Sequence, residues 1–261
     1  MDYSYLEAYY EQRDENSRLL SRAGSVEYLT TMRYIRQYVP SGSCVLEVGA
    51  GTGRYSIALA RAGYSVSAVE LIDHNIDVFR NQMSPDDRID LRQGNAMDLS
   101  CFPDAAFDAV LVLGPLYHLY HDEDKCAVLN EAKRVLKPDG FLYAAYCMNE
   151  PTMIQFCFKD DGQNVLDCLD KNMLTTDYRC ISTPKDLFEM VRTEDIDRLN
   201  QRCGLRRVKL VGVDTFAHYL RPRIDNWSES VFQAFLQYHF SICERPDLLG
   251  VSNHTLDILK K

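Results

Sequence analysis

The feature that most constrains this chain is a glycine-rich segment between a buried strand and a helix. Apolar residues predict a short strand at Cys44–Val48, and the segment Glu47-Val48-Gly49-Ala50-Gly51-Thr52-Gly53 runs out of its end. Glycines at alternate positions allow a tight turn and let a ligand approach the backbone closely. A helix predicted over residues 54–62 follows, and its start offers free N–H groups and a positive dipole end. The pattern predicts a ligand-binding turn.

Strands and helices then alternate along the chain. Apolar runs predict further strands at 66–71, 89–93, 107–113 and 141–146, and helices are predicted at 73–83 and 122–136. Such alternation implies right-handed crossovers and a parallel sheet that is covered on both faces. We therefore predict a doubly wound α/β fold.

An acidic residue follows the glycine turn at the distance expected for a nucleoside site. Glu70 ends the second strand, 21 residues after Gly49, where a carboxylate can accept hydrogen bonds from both ribose hydroxyls. The dinucleotide fingerprint places its third glycine at the position of Arg54, whereas this chain has Gly53, one residue earlier. This departure argues against a pyrophosphate cradle and a nicotinamide enzyme.

With these residues in place, the chain resembles class I S-adenosylmethionine-dependent methyltransferases. The acidic glycine motif of that family matches Glu47 to Gly53, and its ribose-binding acid matches Glu70. Gly94-Asn95-Ala96 stands where the family has a Gly-Asp-Ala triplet beside the adenine, with Asn in place of Asp. Phe107-Asp108 and the turn Leu136-Lys137-Pro138-Asp139-Gly140 complete the series.

The resemblance implies S-adenosylmethionine as cofactor and a mostly parallel, Rossmann-like sheet of seven strands. The sixth strand and an antiparallel seventh are expected at 205–213 and 254–259. The cofactor-binding residues that it implies are Glu47, Gly49, Ala50, Gly51, Gly53, Glu70, Leu71, Asn95, Ala96 and Leu113.

The loop after the fourth strand is expected to face the methyl group, because ligands bind at the carboxyl ends of parallel strands. His118 is interpreted either as a general base or substrate orienter or as a packed histidine, and Tyr117 accompanies it. Gly114 replaces the Asn or Asp of base-methylating enzymes, which disfavours that activity. The residues predicted to contact the substrate are Tyr9, Arg18 and Tyr146.

Composition narrows the function further. A net charge of −9 argues against an electrostatic grip on nucleic acid, and nine scattered cysteines without metal-ligand spacing predict reduced thiols and no metal. No leader and no apolar run of about 20 residues is found, so we expect a cytoplasmic protein without a membrane partner. The interpretation is a small-molecule methyltransferase. The alternatives are an RNA or protein methyltransferase, and a nucleotide-binding module or nicotinamide enzyme.

A single domain is predicted, with four parts. Residues 1–40 form an N-terminal helical lid, 41–147 the cofactor-binding core, 148–204 an inserted cap, and 205–261 the last strands with an insertion at 214–250.

Overall fold

The computed structural model describes residues 3–12, 19–159 and 162–261. Its strands are β1 (Cys44–Val48), β2 (Ser65–Glu70), β3 (Ile89–Gln93), β4 (Phe107–Val112), β5 (Leu136–Met148), β6 (Met190–Val191), β7 (Arg206–Gly212) and β8 (His254–Lys260). Its α-helices are α1 (Ser4–Gln12), α2 (Arg22–Tyr38), α3 (Arg54–Arg61), α4 (Asp73–Gln82), α5 (Asp122–Val135), α6 (Asn149–Thr152), α7 (Asn164–Asp170), α8 (Thr193–Cys203), α9 (Arg221–Ile224) and α10 (Glu229–Ile242). Short 3₁₀ segments lie at Pro115–His118, Pro184–Asp186, Thr215–Ala217 and Pro246–Val251, and a π-helical turn lies at Met153–Cys157.

The strands form one sheet in the order β3-β2-β1-β4-β5-β8-β7, and β6 pairs with β5 beside this path. Neighbours from β3 to β5 are parallel, whereas β8 runs antiparallel to both β5 and β7. The doubly wound, mostly parallel fold is confirmed, with the two-residue β6 as an eighth strand. Chain order reverses between β1 and β4, and the crevice at such a switch point is the usual ligand site of open α/β sheets.

Alternate residues of the central strands supply two separate cores. In β4, Val110 and Val112 face one apolar cluster and Ala109 and Leu111 face the other, and all four are fully buried. This agrees with the prediction of a parallel sheet that is covered on both faces, because the strands of such a sheet are buried on both sides.

Two helices, one in the region predicted as the lid and one in the region predicted as the cap, pack into these cores. In α2, Met32 and Ile35 are buried against the sheet, whereas Leu6 and Tyr10 of α1 line the binding edge. In α8, Ile196 and Leu199 are buried in the other core. In the described part of the chain, no helix combines the length and apolar character needed to cross a membrane.

The turn predicted before β5 lies within the strand as an irregularity. Phe107 pairs with Leu136 and Ala109 pairs with Phe141, so residues 137–140 have only Asp108 opposite them. The Asp108 carboxylate accepts a hydrogen bond from Lys137 Nζ at 2.7 Å and another from the backbone N–H of Cys44 at 2.8 Å. This carboxylate ties the start of β1 to the irregularity.

Candidate cofactor and acceptor site

A cavity opens at the carboxyl ends of β1, β2 and β4. Its empty volume, open mouth included, is about 1060 Å³. It brings together nearly all of the predicted cofactor residues with both predicted catalytic residues, namely Glu47, Gly49, Ala50, Gly51, Glu70, Leu71, Asn95, Ala96, Leu113, Tyr117 and His118. Side chains of α1 line the same cavity, so the helix and the glycine turn form one site.

The glycine turn needs glycine for two different reasons. Gly49 has φ +71°, and a Cβ there would lie 2.6 Å from the Pro115 ring, so the β4 loop packs directly on the turn. Gly51 has φ +55°, and a Cβ there would meet no atom within 4 Å. Because Gly51 lines the cavity, a side chain at this position would enter the space that a ligand needs.

Gly53 does not line the cavity, although the motif places it among the cofactor residues. It has φ +85°, and a Cβ there would lie 2.3 Å from the ring of Phe79 in α4. Phe79 is fully buried, so the ring has no room to move away. Gly53 therefore lets α3 start close against α4 and supports the turn from behind.

Glu70 is held in the cavity wall by the turn that it faces. One carboxylate oxygen accepts from the backbone N–H of Gly51 at 2.7 Å, and the other accepts from Ile72 N–H at 3.0 Å and from Asn75 Nδ2 at 3.2 Å. Burial raises the pKa of Glu70, and these hydrogen bonds oppose the rise. A carboxylate oxygen has lone pairs left after one such bond, so ribose hydroxyls can still donate to it.

Glu47 is a nearly inaccessible carboxyl group at the base of the same cavity, with an exposed fraction of 2%. It accepts a hydrogen bond from Ser56 Oγ in α3. Burial raises its pKa from 4.5 to about 8 despite that bond, and the nearby Glu70 adds to the rise. The group is therefore mostly protonated at neutral pH in the free protein.

His118 is fixed on both ring nitrogens. Nδ1 lies 2.8 Å from the carbonyl oxygen of Leu187, and Nε2 lies 3.0 Å from the hydroxyl of Tyr10. A carbonyl only accepts, so Nδ1 carries the proton and Nε2 accepts from Tyr10. Burial lowers the pKa of His118 to about 4, although the Leu187 carbonyl acts against this. The imidazole is therefore neutral, and Phe188 packs beside it with ring centroids 5.2 Å apart.

Two of the predicted substrate residues lie outside the cavity wall. Tyr9 packs edge-on against Phe188, with ring centroids 5.7 Å apart, and its neighbour Tyr10 lines the cavity in its place. Tyr146 is 1% exposed and packs in one of the sheet cores, and its hydroxyl has no hydrogen-bond partner among the described residues. Burial raises the pKa of Tyr146 well above its usual range. Arg18, the third, lies outside the described residues.

Several wall residues are additional to the predicted set. Tyr3, Leu6 and Tyr10 of the N-terminal segment line the cavity at spacings of three and four residues, which is one face of a helix. This helical spacing is visible in the sequence, so these three wall residues could have been predicted from it. Arg54, whose charge alone would suit an exposed surface, also lines the cavity directly after the glycine turn.

A group with metal-ligand chemistry lies near Tyr117. Within the described ranges, Glu27, Asp214 and His254 have ligand atoms within 4.8 Å of one another. His254 Nδ1 lies 3.1 Å from Asp214 Oδ2 and 3.4 Å from Glu27 Oε2. Asp214 also accepts from Ser252 Oγ and from the backbone N–H of His254, so these residues form an ion-pair and hydrogen-bond network.

The strand order, the glycine turn and the acid at the end of β2 define the Rossmann-like class of nucleoside-binding methyltransferase folds. The sequence profile of a family described as "Methyltransferase domain" matches residues 46–144. The matched segment runs from β1 to β5 and contains the glycine turn and Glu70, and this part of the chain is similar to the class I S-adenosylmethionine-dependent methyltransferases, whose cofactor is S-adenosylmethionine.

Similar proteins cover different shares of the chain. Demethylmenaquinone methyltransferase of Clavibacter sepedonicus is 36% identical over 100 residues, which are 38% of this chain and 39% of that protein. Ubiquinone biosynthesis O-methyltransferase of Xanthomonas campestris is 28% identical over 156 residues, covering 59% of this chain and 63% of that protein. The chain thus matches less than two thirds of these relatives' length. The structure of a possible histamine N-methyltransferase from Thermotoga maritima has the same fold, with a TM-score of 0.60, 20% identity and full coverage of both chains.

Proposed function

We propose that this protein transfers a methyl group from S-adenosylmethionine to a small molecule with an acidic hydroxyl, such as a phenol or an enol. The proposal rests on one observation: the glycine turn and Glu70 line the same cavity as the Tyr10–His118 pair. Cofactor binding and a proton-accepting group are therefore available in one cavity.

The residues present fit the methyl donor. Gly51 leaves open space in the cavity where any other residue would place a Cβ, and Glu70 offers oxygen lone pairs for ribose hydroxyls. Asn95 and Ala96 belong to the wall beyond β3 and would face the adenine. When bound, S-adenosylmethionine would supply an electrophilic methyl group on a sulfonium, and an acceptor lone pair would take this group while the C–S electron pair returned to sulfur.

The chain's own residues would position the acceptor and remove its proton. The Tyr10 hydroxyl donates to His118 Nε2, so its oxygen can accept from an acceptor hydroxyl while its own proton passes to the imidazole. The Leu187 carbonyl holds the ring in the required tautomer. Most of the rate gain would come from holding the two reactants in line, and α1 over the cavity would exclude water.

The acidity of the acceptor follows from the environment of His118. A histidine with a pKa of about 4 is always in its base form near neutral pH, yet it is a weak base. Such a group suits an acceptor whose proton is already labile, and it suits an aliphatic alcohol poorly. The aromatic wall formed by Tyr3, Tyr10 and Tyr117 also fits a flat, apolar ring.

Two observations support a small-molecule acceptor: the net charge of the chain and the names of the relatives that it resembles. The net charge of −9 opposes a nucleic-acid partner, because phosphate contacts require Lys and Arg. The two relatives given above are named for demethylmenaquinone and for ubiquinone biosynthesis, and both names refer to quinone-type small molecules.

Two measurements test the proposal. Calorimetry should detect S-adenosylhomocysteine binding to the wild type and none to Gly51→Leu, whose side chain would fill the cavity. Transfer from labelled S-adenosylmethionine should then be measured with matched panels of catechols and hydroquinones, aliphatic alcohols and amines. We expect transfer to the phenols. Absence of nucleoside binding, or transfer only to alcohols or amines, contradicts the proposal.

The role of the pair is tested by His118→Asn, which can still donate to the Leu187 carbonyl but lacks Nε2. We expect turnover to fall about 10²-fold while the affinity for S-adenosylhomocysteine stays the same. The matched control is His74→Asn, because His74 is exposed on α4. Unchanged turnover in His118→Asn contradicts a proton-accepting role.

A further inference from the structure

Three distant segments of the chain bring ligand-type side chains together beside Tyr117. Glu27 lies in α2, Asp214 follows β7, and His254 is the first residue of β8. One nitrogen or oxygen atom of each side chain lies within 4.8 Å of the corresponding atoms of the other two. The centroid of the His254 ring is 6.3 Å from that of Tyr117, which lines the cavity, so the group borders the cavity at its wall.

The distances within the group suit the ligands of one metal ion. His254 Nδ1 lies 3.1 Å from Asp214 Oδ2 and 3.4 Å from Glu27 Oε2. An ion that holds nitrogen and oxygen ligands at about 2.0–2.2 Å, in tetrahedral or octahedral geometry, places neighbouring ligand atoms about 2.8–3.6 Å apart. A cation can therefore bridge these three side chains without a large rearrangement.

The Asp214 carboxylate is held in the orientation that a ligand needs. Its Oδ1 accepts from Ser252 Oγ at 2.8 Å and from the backbone N–H of His254 at 3.0 Å, so Oδ2 is the oxygen that faces the imidazole. Outer hydrogen bonds of this kind orient the ligands of metal sites. The side chains of Glu27, Asp214 and His254 are 12%, 6% and 15% exposed, so the group is not sealed from a small cation in solvent.

His218 supplies an independent observation at the same place. Its Nδ1 is buried and has no hydrogen-bond partner among the described residues. Burial lowers the pKa of His218, and the Asp214 charge acts in the opposite direction, so the ring lies within electrostatic range of the group. A buried polar atom without a partner is uncommon in native structures and calls for an explanation such as a bound ion.

We propose that Glu27, Asp214 and His254 bind a divalent transition-metal ion, with His218 as the fourth ligand. A mixture of imidazole and carboxylate ligands favours Zn²⁺ or a similar ion over Mg²⁺ and Ca²⁺, which prefer oxygen ligands alone. The sequence shows no metal-ligand spacing because the ligands come from segments that are far apart in the chain. A bound ion would tie α2 to β8 and to the segment after β7. The inference is independent of the proposed function, since these four residues are not among those assigned to the cofactor or the acceptor.

The test is zinc binding by the full chain, without a histidine tag and without cofactor. Protein that has been treated with EDTA and dialysed is titrated with ZnCl₂, and separately with MgCl₂, in a calorimeter. The variants are Glu27→Gln, His254→Gln and His218→Gln. The matched controls are Glu229→Gln and His74→Gln, which make the same chemical changes at exposed positions. Circular dichroism confirms that each variant is folded.

We expect the wild type to bind one Zn²⁺ per chain at this site and to bind Mg²⁺ at least about 100-fold more weakly. Loss of an outer hydrogen bond to a metal ligand costs about 10- to 100-fold in affinity, so Glu27→Gln and His254→Gln should each lose at least about 100-fold. His218→Gln should lose about 10-fold or more, and the two controls should bind as the wild type does. At about 100 times its Kd, ZnCl₂ should raise the Tm of the wild type by about 5–10 °C and leave that of Glu27→Gln unchanged.

Absence of zinc binding to the wild type would overturn the proposal and leave the group as an ion-pair network alone. Zinc binding that Glu27→Gln and His254→Gln do not weaken would also overturn it, because the ion would then be held elsewhere, for example by exposed Cys101. If His254→Gln does not fold, Glu27→Gln decides the question, since it exchanges one oxygen for an amide of the same size. Unchanged affinity in His218→Gln would overturn its assignment as the fourth ligand.

Discussion

The protonation of Glu47 has a measurable consequence for stability, which Glu47→Gln should reveal. Burial raises the pKa of this carboxyl from 4.5 to about 8 in the folded protein, whereas the unfolded chain keeps the ordinary value. Between these two pH values the folded state holds a proton that the unfolded state has lost. The free energy of unfolding therefore falls as pH rises from about 4.5 to about 8, and it is constant with respect to this group above that range.

The size of the effect follows from the two pKa values. One pKa unit corresponds to about 1.4 kcal/mol, so this group lowers the stability by about 2.5 kcal/mol between pH 5 and 7 and by about 4 kcal/mol between pH 5 and 9. The glutamine amide of the variant cannot ionise but can still accept from Ser56. The variant should therefore gain stability relative to the wild type by these amounts over the same intervals.

Urea unfolding followed by circular dichroism, at five pH values from 5 to 9 without cofactor, measures this difference. Only the change with pH is compared, since the buried amide of Gln carries its own constant cost. Glu229→Gln is the control, because the Glu229 side chain is 64% exposed. The quantity of interest is the difference in the free energy of unfolding between the wild type and Glu47→Gln. If this difference changes by less than about 0.5 kcal/mol from pH 5 to 9, the assigned protonation is contradicted.

Three further predictions concern the turn, the ribose contact and the imidazole. Gly53→Ala should lower the free energy of unfolding by about 1–3 kcal/mol more than Gly42→Ala. Both glycines have positive φ, but only a Cβ at Gly53 meets the Phe79 ring. Urea unfolding of both variants measures the difference, and equal losses of stability contradict the contact. Glu70→Gln should weaken S-adenosylhomocysteine binding by about 1–3 kcal/mol in calorimetry, through loss of charge-assisted hydrogen bonds, and unchanged affinity argues against a ribose contact. The contribution of His118 to the pH dependence of kcat/KM should be a rise near pH 4 and a plateau above it, because only the neutral ring accepts a proton; a rise near 6.5 contradicts the buried, neutral imidazole.

The strands, the crossovers and the glycine turn could be predicted from the sequence because their signals are local. Val110 and Leu111 belong to a continuous apolar run, which is typical of a strand that is buried on both faces. Gly49 and Gly51 indicate a turn within a few residues. Glu70 follows from its position at the end of β2, since a strand's last residue must lie at the edge where ligands bind.

The partners across the cavity could not be predicted in this way. Tyr10 and His118 are 108 residues apart, and the choice of Tyr10 over Tyr9 depends on how α1 is rotated against the β4 loop. Tyr146 lies near the carboxyl end of β5, and only the packing of the folded chain shows that its ring is buried in one of the two sheet cores. Gly53 matches the glycine motif, but the sequence does not show that the Phe79 ring of α4 lies against it.

The order of elements and the residues of the turn can thus be read from the chain itself, because hydrogen bonding and backbone strain act over a few residues. Three properties of the site arise only when the chain is folded: Glu47 is protonated, His118 is a fixed neutral ring, and Arg54 has no acidic partner among the described residues. These properties depend on burial and on contacts between distant segments, and desolvation of a charge is set by everything that surrounds it.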